Sequence, residues 1–213
     1  MLTSKRNVAL ACALSALAGY VDGIGFIHLG GLFVSFMSGN STRLGVSIAE
    51  LDWKAALEAI GLIVVFVFGA ACGSVIVLGG GDRRTAWLLL TEAALLAAAA
   101  LLSSFGLHGV AVGILALAMG LENSVFQVQG GAGLGLTYVT GALVKVGQLI
   151  VVAFRGGGRW EWLPNLVLWA SLVIGSIAGA LAYRRMGLEA VWFAATAALL
   201  LGAITATRSW RTA

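Results

Sequence analysis

AALEAIGLIVVFVFGAACGSVIVLG, residues 55–79, is the stretch whose reading decides the fold: its only charged residue is Glu58. An apolar run longer than about 18 residues reads as a membrane span. The apolar residues follow one another without alternating, which points to a helix; a barrel strand would alternate over about ten residues. Working outward, comparable runs lie at 7–28, 31–50, 85–105, 108–128, 134–154, 163–183 and 187–207. The breaks between them are short and charged or glycine-rich, such as GGGDRR (79–84), RGGGRWEWLP (155–164) and YRRMG (183–187). No soluble domain fits between them.

Composition agrees. Of the 213 residues 60% are hydrophobic and 10% charged, where a soluble domain carries roughly 25% charged residues, and mean hydropathy is +1.00. The net charge of +4 does not point to nucleic acid, because most basic residues flank apolar runs and no basic patch interleaved with aromatics exists to follow a phosphate backbone. The expected partner is the lipid bilayer. Cys12 and Cys72 each sit inside an apolar run, so a disulfide framework is not supported. Lys5 and Arg6 followed by NVALACALSALAG (7–19) imitate a secretory signal, but the apolar stretch continues to Ile27 and has a counterpart later on. It reads as an uncleaved first span.

The two halves resemble one another. LAGYVDG (17–23) matches LAMGLENS (117–124), placing Gly19 with Gly120 and Asp22 with Asn123. FMSGNSTRLG (36–45) matches YVTGALVKVG (138–147), placing Ser38-Gly39 with Thr140-Gly141 and Arg43 with Lys145. GAACG (69–73) matches GSIAG (175–179), and a double arginine follows each. Apolar composition alone explains the hydrophobic matches but not the recurrence of polar positions in the same order. One integral membrane domain over 1–213 is expected, with repeat one at about 7–105 and repeat two at about 108–208.

AGYVDGIGF (18–26), FVSFMSGN (33–40), MGLENS (119–124) and LTYVTGAL (136–143) resemble the DUF1275 (YoaK-like) family of bacterial multi-pass inner-membrane proteins. The resemblance covers essentially the whole chain. It implies the inner (cytoplasmic) membrane and carries no activity with it. The chain departs from the family pattern at Glu122, where glutamine is expected, and at Arg43, where an apolar residue is usual.

Ionisable residues inside apolar runs are costly and face a protein interior or a watery cavity. Here they are Asp22, Arg43, Glu92, Glu122 and Lys145. Asp22 with Arg43, and Glu122 with Lys145, are expected to form acid and base pairings around a shared interior; such pairs serve either a solute or helix register alone. Glu92 is expected at an interface or a helix contact. Ser38-Gly39-Asn40-Ser41-Thr42-Arg43 has the composition of a helix interruption in mid-membrane, with a helix starting near Gly39 whose N-terminus suits an anion, and 140–145 repeats it. The bland reading of this stretch is close helix packing at Gly39 and Gly45. Gly69, Gly73, Gly175 and Gly179 are expected where helices approach closely. His28 and His108 lack neighbouring ligands at metal spacing, GGAGLG (130–135) has no strand before it to make a dinucleotide fingerprint, and no nucleophile–base pairing is visible. The expectation is no enzyme, no metal and no cofactor.

The sequence therefore predicts an all-α polytopic bundle of six to eight transmembrane segments built from two repeats. With eight spans, seven basic residues lie with the termini (Lys5, Arg6, Lys54, Arg155, Arg159, Arg208, Arg211) and four opposite. If segments two and six dip in and return, the halves are inverted and eight lie with the termini against three, Lys54, Arg184 and Arg185. Basic residues favour the cytoplasmic side, so both arrangements put the termini there and the second is slightly preferred. The leading functional expectation is a small secondary transporter or permease of a small, anionic solute, with Asp22, Ser38, Asn40, Arg43, Glu122, Asn123, Thr140 and Lys145 around its site. The alternative is a membrane accessory or assembly protein whose charges only hold helices together.

Overall fold

The computed structural model describes residues 5–79, 81–126 and 139–207. The glycine run at 130–135, Tyr138, Arg208 and Arg211 lie outside the described residues. All described regular structure is helical: α1 (Lys5–His28), α2 (Met37–Ala49), α3 (Trp53–Gly79), α4 (Arg84–Ser104), α5 (His108–Glu122), α6 (Val139–Phe154), α7 (Leu163–Met186) and α8 (Val191–Thr207). Short 3₁₀ turns, Gly81–Arg83 and Gly187–Ala190, join α3 to α4 and α7 to α8. Four stretches are long and apolar enough to cross a membrane: Arg6–His28, Trp53–Gly79, Arg84–Ser104 and Leu163–Thr207, the last bent at its 3₁₀ turn. Val64, Val67, Phe68, Val75, Leu78, Ile174, Ile177 and Leu181 are exposed on α3 and α7. An apolar outer surface of this extent suits lipid and not water.

Two helix pairs are seamed by glycine. A Cβ at Gly175 would collide with the carbonyl oxygen of Ala16, one at Gly179 with that of Tyr20, and one at Gly19 with that of Leu172. A Cβ at Gly69 would collide with the carbonyl of Leu117, and one at Gly120 with that of Phe66. Gly73 lies against Leu121 and the Ser124 hydroxyl. In each pair, numbers rise together along both partners, so α1 runs parallel to α7, and α3 to α5. Small residues let the backbones meet without side chains between them. The four glycines singled out by their spacing thus all sit at close approaches. The third pair, α4 with α8, packs Gly202 on Leu90.

Helix directions follow from contacts at the ends. His28 closes α1 and His108 opens α5, and their rings lie 5.9 Å apart; Asp22 of α1 is also within electrostatic reach of Glu122 at the other end of α5, so the two helices run in opposite directions. Tyr183 near the close of α7 reaches the same end, its hydroxyl 2.9 Å from His28 Nδ1. Since α3 is parallel to α5, it too opens there, and the tight turn at 50–52 brings α2 to a close beside it, with Leu51 held at a φ of 58°.

Segment two is interrupted, but a few residues earlier than 38–43. The chain leaves α1 through Gly30 and Gly31, whose φ values of 64° and 111° suit glycine. It then turns back along α1 as an irregular strand until α2 begins at Met37. The interruption therefore lies before 37 and not at 38–43, which is continuous helix: the Ser41 and Thr42 hydroxyls bond back to the carbonyls of Met37 and Ser38. Likewise 140–145 lies within α6. At 13 residues α2 is roughly 20 Å long, short of a bilayer's ~30 Å. It starts in the body of the bundle and closes at the end from which the chain came.

Candidate functional site

Asp22 holds the returning strand. Its Oδ1 accepts the backbone N–H of Val34 at 2.9 Å and of Ser35 at 2.7 Å, and its Oδ2 accepts the Ser35 hydroxyl. The carboxyl is buried, and non-helical backbone at this depth needs such acceptors because lipid offers none. Asn40 completes the clamp from the first turn of α2. Its Oδ1 accepts Phe33 N–H at 2.8 Å and its Nδ2 donates to Phe33 O at 2.7 Å. Phe26, Phe33 and Phe36 stack across the bend.

A cavity of about 240 Å³ opens where this strand meets α2, lined by Ser35, Phe36, Met37, Ser38, Phe66, Asn123 and Thr140. Phe66 is the middle residue of α3, so the cavity lies near mid-depth. Three expected site residues, Ser38, Asn123 and Thr140, meet here although about a hundred positions separate Ser38 from Thr140. The opening turn of α2 and the first described turn of α6 converge on it. At the start of α2 the amides of Met37, Gly39 and Asn40 already donate to Ser35 O and Phe36 O, so what that turn adds to the cavity is mainly the partial positive charge of a helix start. Asn123 also donates to Met119 O at 2.8 Å.

The structure does not bring Arg43 and Lys145 to this place. Both side chains are exposed, and the donors on Asp22 come from the 34–35 strand. The expected acid and base pairings around a shared interior are thus replaced by an interior that is acidic alone. Asp22, Glu92 and Glu122 are buried, and no lysine or arginine is buried among the described residues. The physical reason is reach: long cationic side chains extend to the surface at small cost, whereas a short aspartate does not.

Glu92 takes the second of its two expected places, a helix contact. It is fully buried on α4, facing the interior of the bundle and not a lipid interface. Glu122 lies within electrostatic reach of both Glu92 and Asp22. Neither oxygen of Glu92 or of Glu122 has a hydrogen-bond partner. The signal in the sequence was periodicity: Thr85, Leu88, Glu92, Leu96, Ala99 and Ser103 recur at helical spacing and all are buried. The histidines form another grouping missed in the sequence, with Ser103 Oγ 3.3 Å from His108 Nδ1. At the opposite end, Trp160 and Trp162 stack beside Arg159, as an interface anchor should.

The family described as "Protein of unknown function (DUF1275)" matches residues 10–204, which takes in part or all of every helix described above. The chain belongs to the DUF1275 family. A relative from Rhizobium meliloti (strain 1021), UPF0700 transmembrane protein RA0705, is 39% identical over 207 residues, covering 94% of this chain and 86% of its own. No solved structure matches. With the apolar helices, these similarities make this DUF1275 protein a multi-pass helical membrane protein.

Proposed function

We propose that this DUF1275 protein is a small secondary transporter or permease, built from two inverted repeats exchanged across a pseudo-two-fold axis. The equivalence α1 with α5, α2 with α6, α3 with α7 and α4 with α8 accounts for the two glycine-seamed pairs: Gly175 on Ala16 and Gly69 on Leu117 occupy matching places in the repeats. On this reading α1, α3, α4, α5, α7 and α8 cross the membrane, and α2 and α6 re-enter from opposite sides. The positive-inside rule then puts Lys5, Arg6, Arg83, Arg84, Arg155 and Arg159, and with them both termini, in the cytoplasm of a bacterial inner membrane. Cysteine labelling checks this in a background lacking Cys12 and Cys72. Asp52→Cys should react from outside and Arg83→Cys should not; the reverse pattern sinks the inverted arrangement.

The observation that carries the transport reading is the mid-depth cavity between two short helices, the arrangement that transporters use for substrate and ion sites. The solute is a small anion held by Ser35, Ser38, Asn123 and Thr140 beside the positive end of the α2 dipole, with no catalysis and no cofactor. Thermal unfolding in detergent against a panel of small carboxylates, phosphate and sulfate tests it, because a bound solute raises apparent stability. At least one should raise the Tm of the wild type and have no effect on Ser38→Ala with Thr140→Val. A panel without any shift, followed by no counterflow in proteoliposomes, leaves the accessory-protein reading, which Asp22 and Asn40 favour by being occupied with loop backbone.

A further inference from the structure

Glu92 and Glu122 are not explained by the solute cavity, for neither lines it. They come from α4 and from the last turn of α5, elements that pack directly on each other. Both are buried, at 0% and 1% exposure, and all four of their carboxyl oxygens lack a hydrogen-bond partner. A carboxylate in an apolar interior without a partner costs far more than a helix contact returns, and a second one beside it adds repulsion. A pair kept in such a place therefore has a ligand that removes the charge.

The surroundings identify the ligand. Of the elements packed on α4, α8 brings no ionisable side chain, and α5 brings Glu122 in its last turn and His108 at its opposite end, beside Ser103. On α3, Lys54 and Glu58 are exposed at its opening, and Cys72 is half-buried. Arg83 and Glu189, in the flanking 3₁₀ turns, are exposed as well. Asp22 of α1 is within reach of Glu122, but both its oxygens already accept donors of the 34–35 strand. Two carboxyls are a poor cage for a hard metal cation, which takes about six or more oxygens. They do suit a proton, since a protonated carboxyl becomes a donor that its neighbour can accept. Thr85 Oγ1, likewise buried without a partner, sits two turns nearer the start of α4 on the face that carries Glu92.

We propose that Glu92 and Glu122 form an exchangeable proton-binding site, which in the transporter reading supplies the coupling ion beside the solute cavity. Uptake adds one proton to a carboxylate oxygen, forming one O–H bond; release is the reverse, and nothing is oxidised or reduced. The role as coupling ion rests on the transport reading, whereas the existence of the site does not.

Infrared spectroscopy of the full chain in detergent tests the site without any solute. The wild type should show the carbonyl band of protonated carboxyl groups at neutral pH, shifting in D₂O and disappearing as the pH is raised. Glu92→Gln or Glu122→Gln should diminish the band and the double variant should lose it. Absence of the band in the wild type, a measurement that needs no variant, overturns the proposal. So does a band that the double variant retains, or one that neither exchanges into D₂O nor titrates, which marks a static acid pair. A rise in Tm with sodium but not choline chloride, lost in Glu122→Gln, assigns the site to a metal cation and equally overturns it. None of these outcomes depends on whether an anion shifts the Tm, so the transport reading stands or falls separately.

Discussion

Asp22 and Glu122 are buried acids near the closing ends of α1 and α5, one residue apart in the alignment of the two halves, yet they live in opposite conditions. Asp22 is saturated: two backbone N–H groups and a hydroxyl of the returning strand point at its oxygens. Glu122 has no partner on either oxygen and another acid within reach. A carboxyl in the first condition is a building element, since it accepts the buried Val34 and Ser35 amides where lipid offers no acceptor. One in the second condition contributes nothing to stability by its charge, so its presence has to be explained by what it binds.

The comparison is tested most severely at Asp22. Replacing it with alanine strands three buried donors at about 1–3 kcal/mol each, so Asp22→Ala should lower detergent thermal stability more than any other single change considered. A melting temperature equal to that of the wild type would break the contrast at its root. Next in size are the glycine seams that hold both regions in place. Gly179→Leu, which pushes a side chain into the Tyr20 carbonyl, and Gly73→Leu should each cost at least the ~1–3 kcal/mol of ordinary overpacking. Ala98→Leu, on a partly exposed face of α4, should be tolerated.

Glu122→Met sharpens the contrast from the other side. Exchanging an unpartnered buried acid for an apolar residue of similar volume should leave stability unchanged or raise it by about 1 kcal/mol, opposite in sign to Asp22→Ala, as read by the same unfolding assay. A large loss would mean that Glu122 has a structural partner after all. The smallest effects belong to the cations once expected to pair with these acids. Arg43→Gln and Lys145→Gln, both at exposed positions, should shift stability by no more than about 0.5 kcal/mol; a loss of the size predicted for Asp22→Ala would restore the ion pairs.

Much of this was legible in the chain itself. Apolar run length set the helices: the 7–28 and 55–79 runs became Lys5–His28 and Trp53–Gly79, because a helix that meets lipid must be apolar along its whole length. Glycine spacing marked Gly69, Gly73, Gly175 and Gly179, since only small residues allow two backbones to touch. Ser38, Asn123 and Thr140 stood out as polar residues within apolar runs, and they line one cavity. What only the tertiary structure decided was the company each polar side chain keeps. Asp22 found strand amides in place of Arg43, Asn40 found the Phe33 backbone, and Glu92 turned inward to Glu122. A sequence records that a charge lies within an apolar run, and that its burial is costly. Which partner offsets that cost depends on helix direction, on the depth to which an irregular strand returns, and on side-chain reach, and these are set by contacts between residues far apart in the chain.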